Sequence, residues 1–143
     1  DYFQIHAALP IELATLTAWS ETVGRDKLWL APRIPRDAIF PESILSFADT
    51  ILLDTYSKDQ VGGTGHTGDW GQFRALTQRY SLTNWVLAGG LSPENVTAAI
   101  AATQAHRIDV NSGVECRPGK KDPKKLHELF QVLRPESFTR FVD

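Results

Sequence analysis

Short apolar runs rich in β-forming residues alternate along this chain with longer segments of helical periodicity. The runs predict strands at residues 2–5, 28–31, 50–54, 85–88 and 107–111. In the segments between them, apolar residues such as Leu13, Leu16 and Trp19 recur three or four positions apart, so each segment presents one apolar stripe to a sheet. This alternation is typical of βα units and predicts an α/β fold with a parallel sheet.

Several helix boundaries are marked by capping residues. Ser92 with Pro93, and Asp122 with Pro123, each place a capping side chain before a proline suited to the first helical turn. The second pair leads into a last helix with an apolar face formed by Leu126, Leu129, Phe130 and Leu133. The break from Gly24 to Asp26 ends the first helix.

The number of predicted strands bears on the domain organisation. No linker, charge block or low-complexity tract divides the 143 residues, which is the length of one ordinary domain. Five parallel strands cannot close an eight-stranded barrel. If the fold is a barrel, we expect part of it to lie outside this sequence. The absence of methionine and the start at Asp1, directly before a predicted strand, give the same indication.

Charge and cysteine content argue against several classes of protein. The 15 Lys and Arg residues against 17 Asp and Glu residues give a net charge of -2. The chain therefore has no broad basic field for nucleic acid or an anionic membrane, and any anion must be bound locally. A single cysteine excludes an internal disulfide framework and a cysteine-rich zinc site, which fits a cytoplasmic protein. No apolar run approaches the ~20 residues of a membrane span.

Asp54 closes the apolar run from Ile51 to Leu53, and function in parallel α/β folds lies at the carboxyl ends of strands. A carboxyl group shielded from water there keeps its proton near neutral pH, as a general acid requires. Position alone is equally consistent with a carboxylate that caps the next turn. Asp54 is thus a candidate catalytic acid or a structural cap.

A glycine-rich segment follows Asp54 and contains Gly62, Gly63, Thr64 and Gly65, with His66 after them. Such a loop has little side-chain bulk and can close over a ligand. Long connections of this composition also occur where nothing binds, and an exposed loop histidine is commonly just solvated. The segment is a candidate active-site loop.

Two neighbouring strand ends carry small residues. Gly89 and Gly90 follow the fourth predicted strand, and Ser112 and Gly113 follow the fifth. Bare backbone amides bind phosphate well, and in eight-stranded barrels the loops after the seventh and eighth strands frequently hold a phosphate. We expect one shared anion site, although glycine turns needed for tight βα contact would explain each loop singly.

The remaining candidates carry less weight. No two histidines and a carboxylate fall at metal-ligand spacing, so no metal is expected. Cys116 lies in a turn without an evident base and is interpreted as incidental. The lysines of residues 120–125 are most simply interpreted as solvated side chains at the start of a helix. Alternatively, they pair locally with Asp122.

Five motifs occur in a characteristic order along the chain. They are Ile51-Leu52-Leu53-Asp54, Gly62-Gly63-Thr64-Gly65 with Asp69-Trp70, Leu87 to Val96, Asp109 to Glu115, and Pro118 to Asp122. In order and spacing they resemble phosphoribosylanthranilate isomerase, a family of tryptophan biosynthesis. Gln4-Ile5-His6 also resembles that family's fourth-strand motif.

The resemblance implies a (β/α)8 TIM barrel, with residues 1–143 as the C-terminal part of a single barrel domain whose first three βα units are absent. It implies an isomerase that needs no cofactor. The substrate is N-(5-phosphoribosyl)anthranilate and the product is 1-(2-carboxyphenylamino)-1-deoxyribulose 5-phosphate, formed by an Amadori rearrangement. An acid protonates the furanose ring oxygen, the ring opens to a Schiff base, and a base removes the C2 proton.

The resemblance also implies residue roles and partners. Asp54 matches the family's general acid, and Gly89, Gly90, Ser112 and Gly113 match its phosphate-binding backbone. The segment 62–65 matches the loop over the active site, while Asp109 is an auxiliary polar group or a structural one. The expected partners are the small-molecule substrate and either the missing N-terminal part or a second copy of the chain.

One departure from the family pattern limits the expected activity. The family's general base is a cysteine at the end of the first strand, and Cys116 does not match it. We therefore expect this chain alone to be inactive and to expose an edge strand and barrel-interior side chains. Two alternatives stay open, namely a non-catalytic phosphate-binding fragment and the sister aminoaldose isomerase of histidine biosynthesis, which the glycine loop fits less well.

Overall fold

Four parallel strands form the sheet on which the chain is built. The computed structural model describes residues 1–34, 38–55 and 69–134. The strands are β1 (Phe3–Ala8), β2 (Leu28–Arg33), β3 (Thr50–Asp54) and β4 (Asn84–Ala88). They pair in the order β1-β2-β3-β4, and every pairing is parallel. The predicted α/β class with a parallel sheet is confirmed, and β1 and β2 run beyond the predicted 2–5 and 28–31.

The fifth predicted strand, at residues 107–111, is reduced to a single parallel bridge between Leu87 and Ile108. The Leu87 amide donates to the Arg107 carbonyl at 3.0 Å, and the Asp109 amide donates to the Leu87 carbonyl at 2.8 Å. Pairing stops there because the chain turns away into a 3-10 helix at Ser112–Val114. The segment nevertheless lies beside β4, as the sequence predicts.

Helices connect the strands. They are α1 (Leu13–Val23), α2 (Trp70–Arg79), α3 (Val96–Thr103) and α4 (Pro123–Leu133), with a short 3-10 helix at Glu42–Ser46. A small antiparallel hairpin of β5 (Glu115–Arg117) and β6 (Lys120–Lys121) precedes α4. On α4 the predicted apolar face is only partly correct, because Leu129 is buried whereas Phe130 is 45% exposed.

The two faces of the sheet have different environments. One face packs against the first three helices in a buried cluster that includes Leu16, Phe73 and Ala99 from the helices. The opposite face carries a smaller buried cluster of Ala31, Leu52, Val86 and Ala88. Side chains alternate along a strand, so Asp54 lies on the same face as Leu52. The face without these helices therefore carries the candidate acid.

The helix ends confirm two of the three boundary signals. Gly24, at φ 86°, ends α1, and Asp122 caps α4 by accepting a hydrogen bond from the Lys124 amide at 2.9 Å. α3 begins at Val96, three residues after the first helical position predicted at Pro93, but the Val96 amide donates to the Ser92 carbonyl at 3.0 Å, so the chain already turns from Ser92. The Asn95 side chain accepts from the Ser92 amide at 2.9 Å, and this contact holds the preceding residues in a turn.

β1 lies at the edge of the sheet. Within the described residues it pairs with β2 alone. Phe3 on β1 is 48% exposed and Tyr2 beside it is 70% exposed. Gln4 and His6, which face the smaller cluster, are also exposed. The expected exposure of an edge strand and of side chains on the inner face is confirmed.

Candidate functional site

A cavity of about 340 Å³ opens at the carboxyl ends of the strands. Five residues singled out from the sequence line it, namely Asp54, Gly89, Gly90, Asp109 and Ser112. They come from three separate stretches of the chain, which the parallel sheet brings to one edge. The residues predicted to act together thus surround one space.

β1 contributes two further side chains to this cavity. Gln4 and His6 line it, and the Gln4 Nε2 atom lies 2.9 Å from the His6 Nε2 atom. Sequence reasoning noted this motif but gave neither residue a role. The alternation of Gln4 and His6 about Ile5 was the available signal, because it places both side chains on one face of a strand.

Asp54 reaches the cavity from the end of β3, where it pairs in register with Ala88. The expectation of a side chain shielded from water is wrong for the described structure, because Asp54 is exposed. Leu52, two positions earlier, is 1% exposed. The register partner of Asp54 in the neighbouring strand is Ala88, whose methyl group is too small to cover a carboxyl group.

Thr55 fixes the backbone directly after Asp54. Its amide and its hydroxyl both donate to the Ala88 carbonyl, at 3.0 and 2.9 Å, and its side chain is buried. The Asp69 amide donates to the Thr55 carbonyl at 3.2 Å, and the Asp69 carboxylate caps α2 by accepting from the Gln72 amide at 2.9 Å. The end of β3 is therefore tied to β4 and to α2. Sequence reasoning missed this role of Thr55.

The predicted active-site loop, comprising Gly62, Gly63, Thr64 and Gly65, lies outside the described residues, and so does His66.

Gly89 and Gly90 form a turn that requires glycine. Their φ angles are 100° and 61°, in the region that side chains disfavour. Asn95 holds this turn, because its Nδ2 donates to the Gly90 carbonyl at 2.9 Å while its Oδ1 accepts from the Ser92 amide. A hydrogen bond with Ser92 holds the pKa of the Glu94 carboxyl below its usual range. The turn on the cavity wall is thus fixed by the residues that precede α3.

Gly113 has a different place from the one predicted. It does not line the cavity with Ser112 but packs against the backbone of Leu91 and Ser92. A Cβ atom on Gly113 would lie 2.8 Å from the Leu91 carbonyl carbon and 3.0 Å from the Ser92 Cα atom. Glycine is therefore needed here for the close approach of the two loops, which is the structural alternative left open by the sequence.

Comparison with known proteins decides the family. The family model described as N-(5'phosphoribosyl)anthranilate (PRA) isomerase matches residues 1–132. The chain belongs to this isomerase family. The resemblance that the motifs predict is confirmed.

Individual members of the PRA isomerase family agree with this assignment. A protein of that name from Acaryochloris marina is 48% identical over 88 residues, or 62% of this chain and 39% of the relative. One from Synechococcus elongatus is 39% identical over 130 residues, or 90% of this chain and 58% of the relative. The chain thus spans about half the length of the curated relatives it matches.

The solved structure of phosphoribosyl anthranilate isomerase from Thermococcus kodakaraensis is similar to the chain, with a TM-score of 0.66 and 29% identity. The match covers 93% of this chain and 63% of that protein. The predicted (β/α)8 fold class is confirmed, and the four-stranded parallel sheet agrees with part of such a barrel.

The lysine run of this member of the PRA isomerase family is not a uniformly solvated helix start. Lys121 Nζ donates to the backbone and side-chain oxygens of Asn111 and to Glu115 Oε1, and Lys125 Nζ donates to the Glu115 carbonyl. The sequence signal was too weak to find these contacts, because the partners lie 6 to 10 positions earlier.

Among residues 1–34, 38–55 and 69–134, no three His, Cys, Asp or Glu side chains come together in a way that could hold a metal ion. No helix in those ranges has the length and apolar character needed to cross a membrane. Cys116 is an exposed free thiol with its Sγ 3.5 Å from the Lys120 carbonyl oxygen.

Proposed function

We propose that this chain forms the part of a phosphoribosylanthranilate isomerase that holds the substrate phosphate and carries the general acid. The observation that carries the proposal is the shared cavity of Asp54, Gly90 and Ser112. A proton donor and a phosphate cradle in one space are what the rearrangement needs, since the phosphate anchors the sugar while the acid works on its ring.

In the proposed mechanism the Asp54 carboxyl group gives its proton to the furanose ring oxygen. The bond between C1 and the ring oxygen breaks, and the nitrogen lone pair forms the Schiff base. A base then takes the C2 proton, and the electron pair moves to give the enolamine, which tautomerises to the ketone. Asp54 is exposed, so the proposal also requires that the assembled site covers this carboxyl group, because a shielded acid keeps its proton near neutral pH.

The phosphate is assigned to the wall formed by Gly89, Gly90 and Ser112. Backbone amides of glycines with positive φ can turn toward an anion, and the Ser112 hydroxyl offers a further donor. With a net charge of -2 the chain has no general attraction for phosphate, so affinity has to come from this local wall.

The base that removes the C2 proton of the substrate is assigned to a part of the isomerase that this chain does not supply. No cysteine lines the cavity among the described residues, and Cys116 lies in the β5-β6 hairpin. We therefore propose that the 143-residue chain alone binds phosphate without turning over substrate. A complementary polypeptide with the first three βα units of a relative would restore the reaction.

The test combines binding and turnover. The chain is titrated with inorganic phosphate by NMR, and saturable shifts are expected at residues 89–90 and 112. Turnover is then measured with and without the complementary polypeptide. Asp54→Asn should lower restored turnover by about 10²-fold or more and leave phosphate affinity within about twofold. Asp26→Asn, an exposed aspartate before β2, is the matched control.

Two results would contradict the proposal. Turnover by the unaided chain would show that it holds a base. An equal loss of phosphate affinity and turnover in Asp54→Asn would make Asp54 a positioning residue rather than the acid. The alternative function, a phosphate-binding fragment without catalysis, is favoured by the exposure of Asp54 and predicts phosphate binding with no turnover under any complementation.

A further inference from the structure

Lys121 joins the loop on the cavity wall to the hairpin that follows it. Its Nζ donates to the Asn111 carbonyl at 2.8 Å and also to the Asn111 side-chain oxygen. The same ammonium group donates to Glu115 Oε1 at 3.0 Å. One side chain therefore uses its three donors on both ends of the 3-10 helix Ser112–Val114.

Glu115 is the second half of this arrangement. Its other carboxylate oxygen accepts from the Gly119 amide at 3.2 Å, and its carbonyl accepts from Lys125 Nζ at 2.9 Å. The hydrogen bond from Lys121 holds the pKa of the Glu115 carboxyl below its usual range. The Glu115 side chain is only 13% exposed, against 42% for Lys121. This ion pair is therefore better shielded than the ion pair that Arg25 makes and the one that Arg79 makes, which are both exposed.

The loop held in this way carries two residues of the cavity wall, Asn111 and Ser112. A hydrogen bond at 2.8 Å from the Asp122 amide to the Val114 carbonyl closes the loop from the other side. We propose that Lys121 and Glu115 are positioning residues that hold the Asn111–Ser112 wall in the geometry that binds phosphate. This inference rests on the proposed phosphate site.

Positioning and simple charge attraction predict opposite effects for one substitution. Glu115→Gln removes a negative charge, so an anion that responds only to charge would bind as tightly as before or more tightly. If Glu115 instead fixes Lys121 and the loop, the same substitution weakens binding. Lys121→Met removes the ammonium donors while keeping an unbranched side chain, and it weakens binding under either view.

The experiment measures two properties of the 143-residue chain and its variants. The first is the dissociation constant for inorganic phosphate, by NMR titration. The second is hydrogen exchange of the Asp122 amide and of residues 111–115. Lys124→Met is the matched control, because Lys124 is an exposed lysine whose ammonium group makes no hydrogen bond within the described residues.

The expected result is an increase of about tenfold in the phosphate dissociation constant for both Lys121→Met and Glu115→Gln, the size expected for losing a hydrogen bond to a charged group. Exchange at the Asp122 amide should rise in both variants and stay unchanged in Lys124→Met. Unaltered or tighter binding in Glu115→Gln, or unaltered exchange in Lys121→Met, would overturn the positioning role. If the unaltered chain binds no phosphate, the proposed site itself fails and this role falls with it.

Discussion

Gly113 offers the sharpest test of how the cavity wall is built. The nearest atom to a Cβ placed there is the Leu91 carbonyl oxygen, and the Leu91 carbonyl carbon behind it would lie 2.8 Å away, while ordinary contact begins at 3.4 Å. Gly113→Ala therefore forces the loops after β4 and Ile108 apart by at least the difference of 0.6 Å. Overpacking of this kind costs about 1–3 kcal/mol, because both obstructing groups are backbone and cannot rotate away.

The assay is urea and thermal denaturation of Gly113→Ala, together with phosphate titration. We expect a loss of about 1–3 kcal/mol, a fall in Tm of roughly 3–6 °C for each kcal/mol, and a weakened phosphate site. Gly71→Ala is the control, since a Cβ atom there approaches Asp69 Oδ1 at an ordinary 3.5 Å and alanine favours helix α2. A Gly113→Ala chain as stable as the unaltered protein would refute the close approach of the two loops.

Three further predictions follow from other contacts. Gly90→Ala places a side chain at φ 61° and should cost about 1–2 kcal/mol while raising the phosphate dissociation constant; unchanged affinity in the titration would argue against a phosphate role for Gly90. Asp122→Ala removes the cap of α4 and should lower the free energy of unfolding by about 1 kcal/mol, measured in urea. Because Lys121 lowers the pKa of Glu115 from its ordinary 4.5, ionised Glu115 stabilises the fold above that pH, and the stability difference from Glu115→Gln should vanish as pH falls through the lowered pKa. A pH-independent difference would contradict that assignment.

Local sequence signals predicted most of the fold. The apolar stripe of α1 places Leu16 in the core, and the Asp122-Pro123 pair starts α4 where predicted. These features depend on residues within one or two turns of each other, so the amino-acid order alone determines them. The Ser92-Pro93 signal places the start of α3 three residues before Val96, and the turn between them includes Asn95, whose side chain accepts from the Ser92 amide.

The features that the sequence left undetermined depend on distant contacts. Asp54 was expected to be shielded but is exposed, and its register partner in the sheet is the small residue Ala88, 34 positions along the chain. Gly113 was assigned to the phosphate site because the sequence shows only that a small residue follows the strand. It does not show that the backbone of Leu91, on another loop, lies against that residue. A sequence pattern indicates the size of each residue, but it does not indicate which distant backbone segment packs against that residue.

Three anchors inside the chain fix the walls of the cavity, and none of them involves Asp54's own side chain. Thr55 ties β3 to the Ala88 carbonyl, Asn95 ties the Gly90 carbonyl, and Lys121 ties the Asn111 carbonyl. Each anchor binds a backbone oxygen on the wall or next to it, so the wall assigned to phosphate depends on contacts that this chain makes by itself. Among the described residues these anchors leave the acid uncovered, because Asp54 stays exposed with all three in place. Phosphate binding and catalysis should therefore separate physically, with binding retained wherever these anchors form and proton donation gained only when further structure shields the carboxyl group.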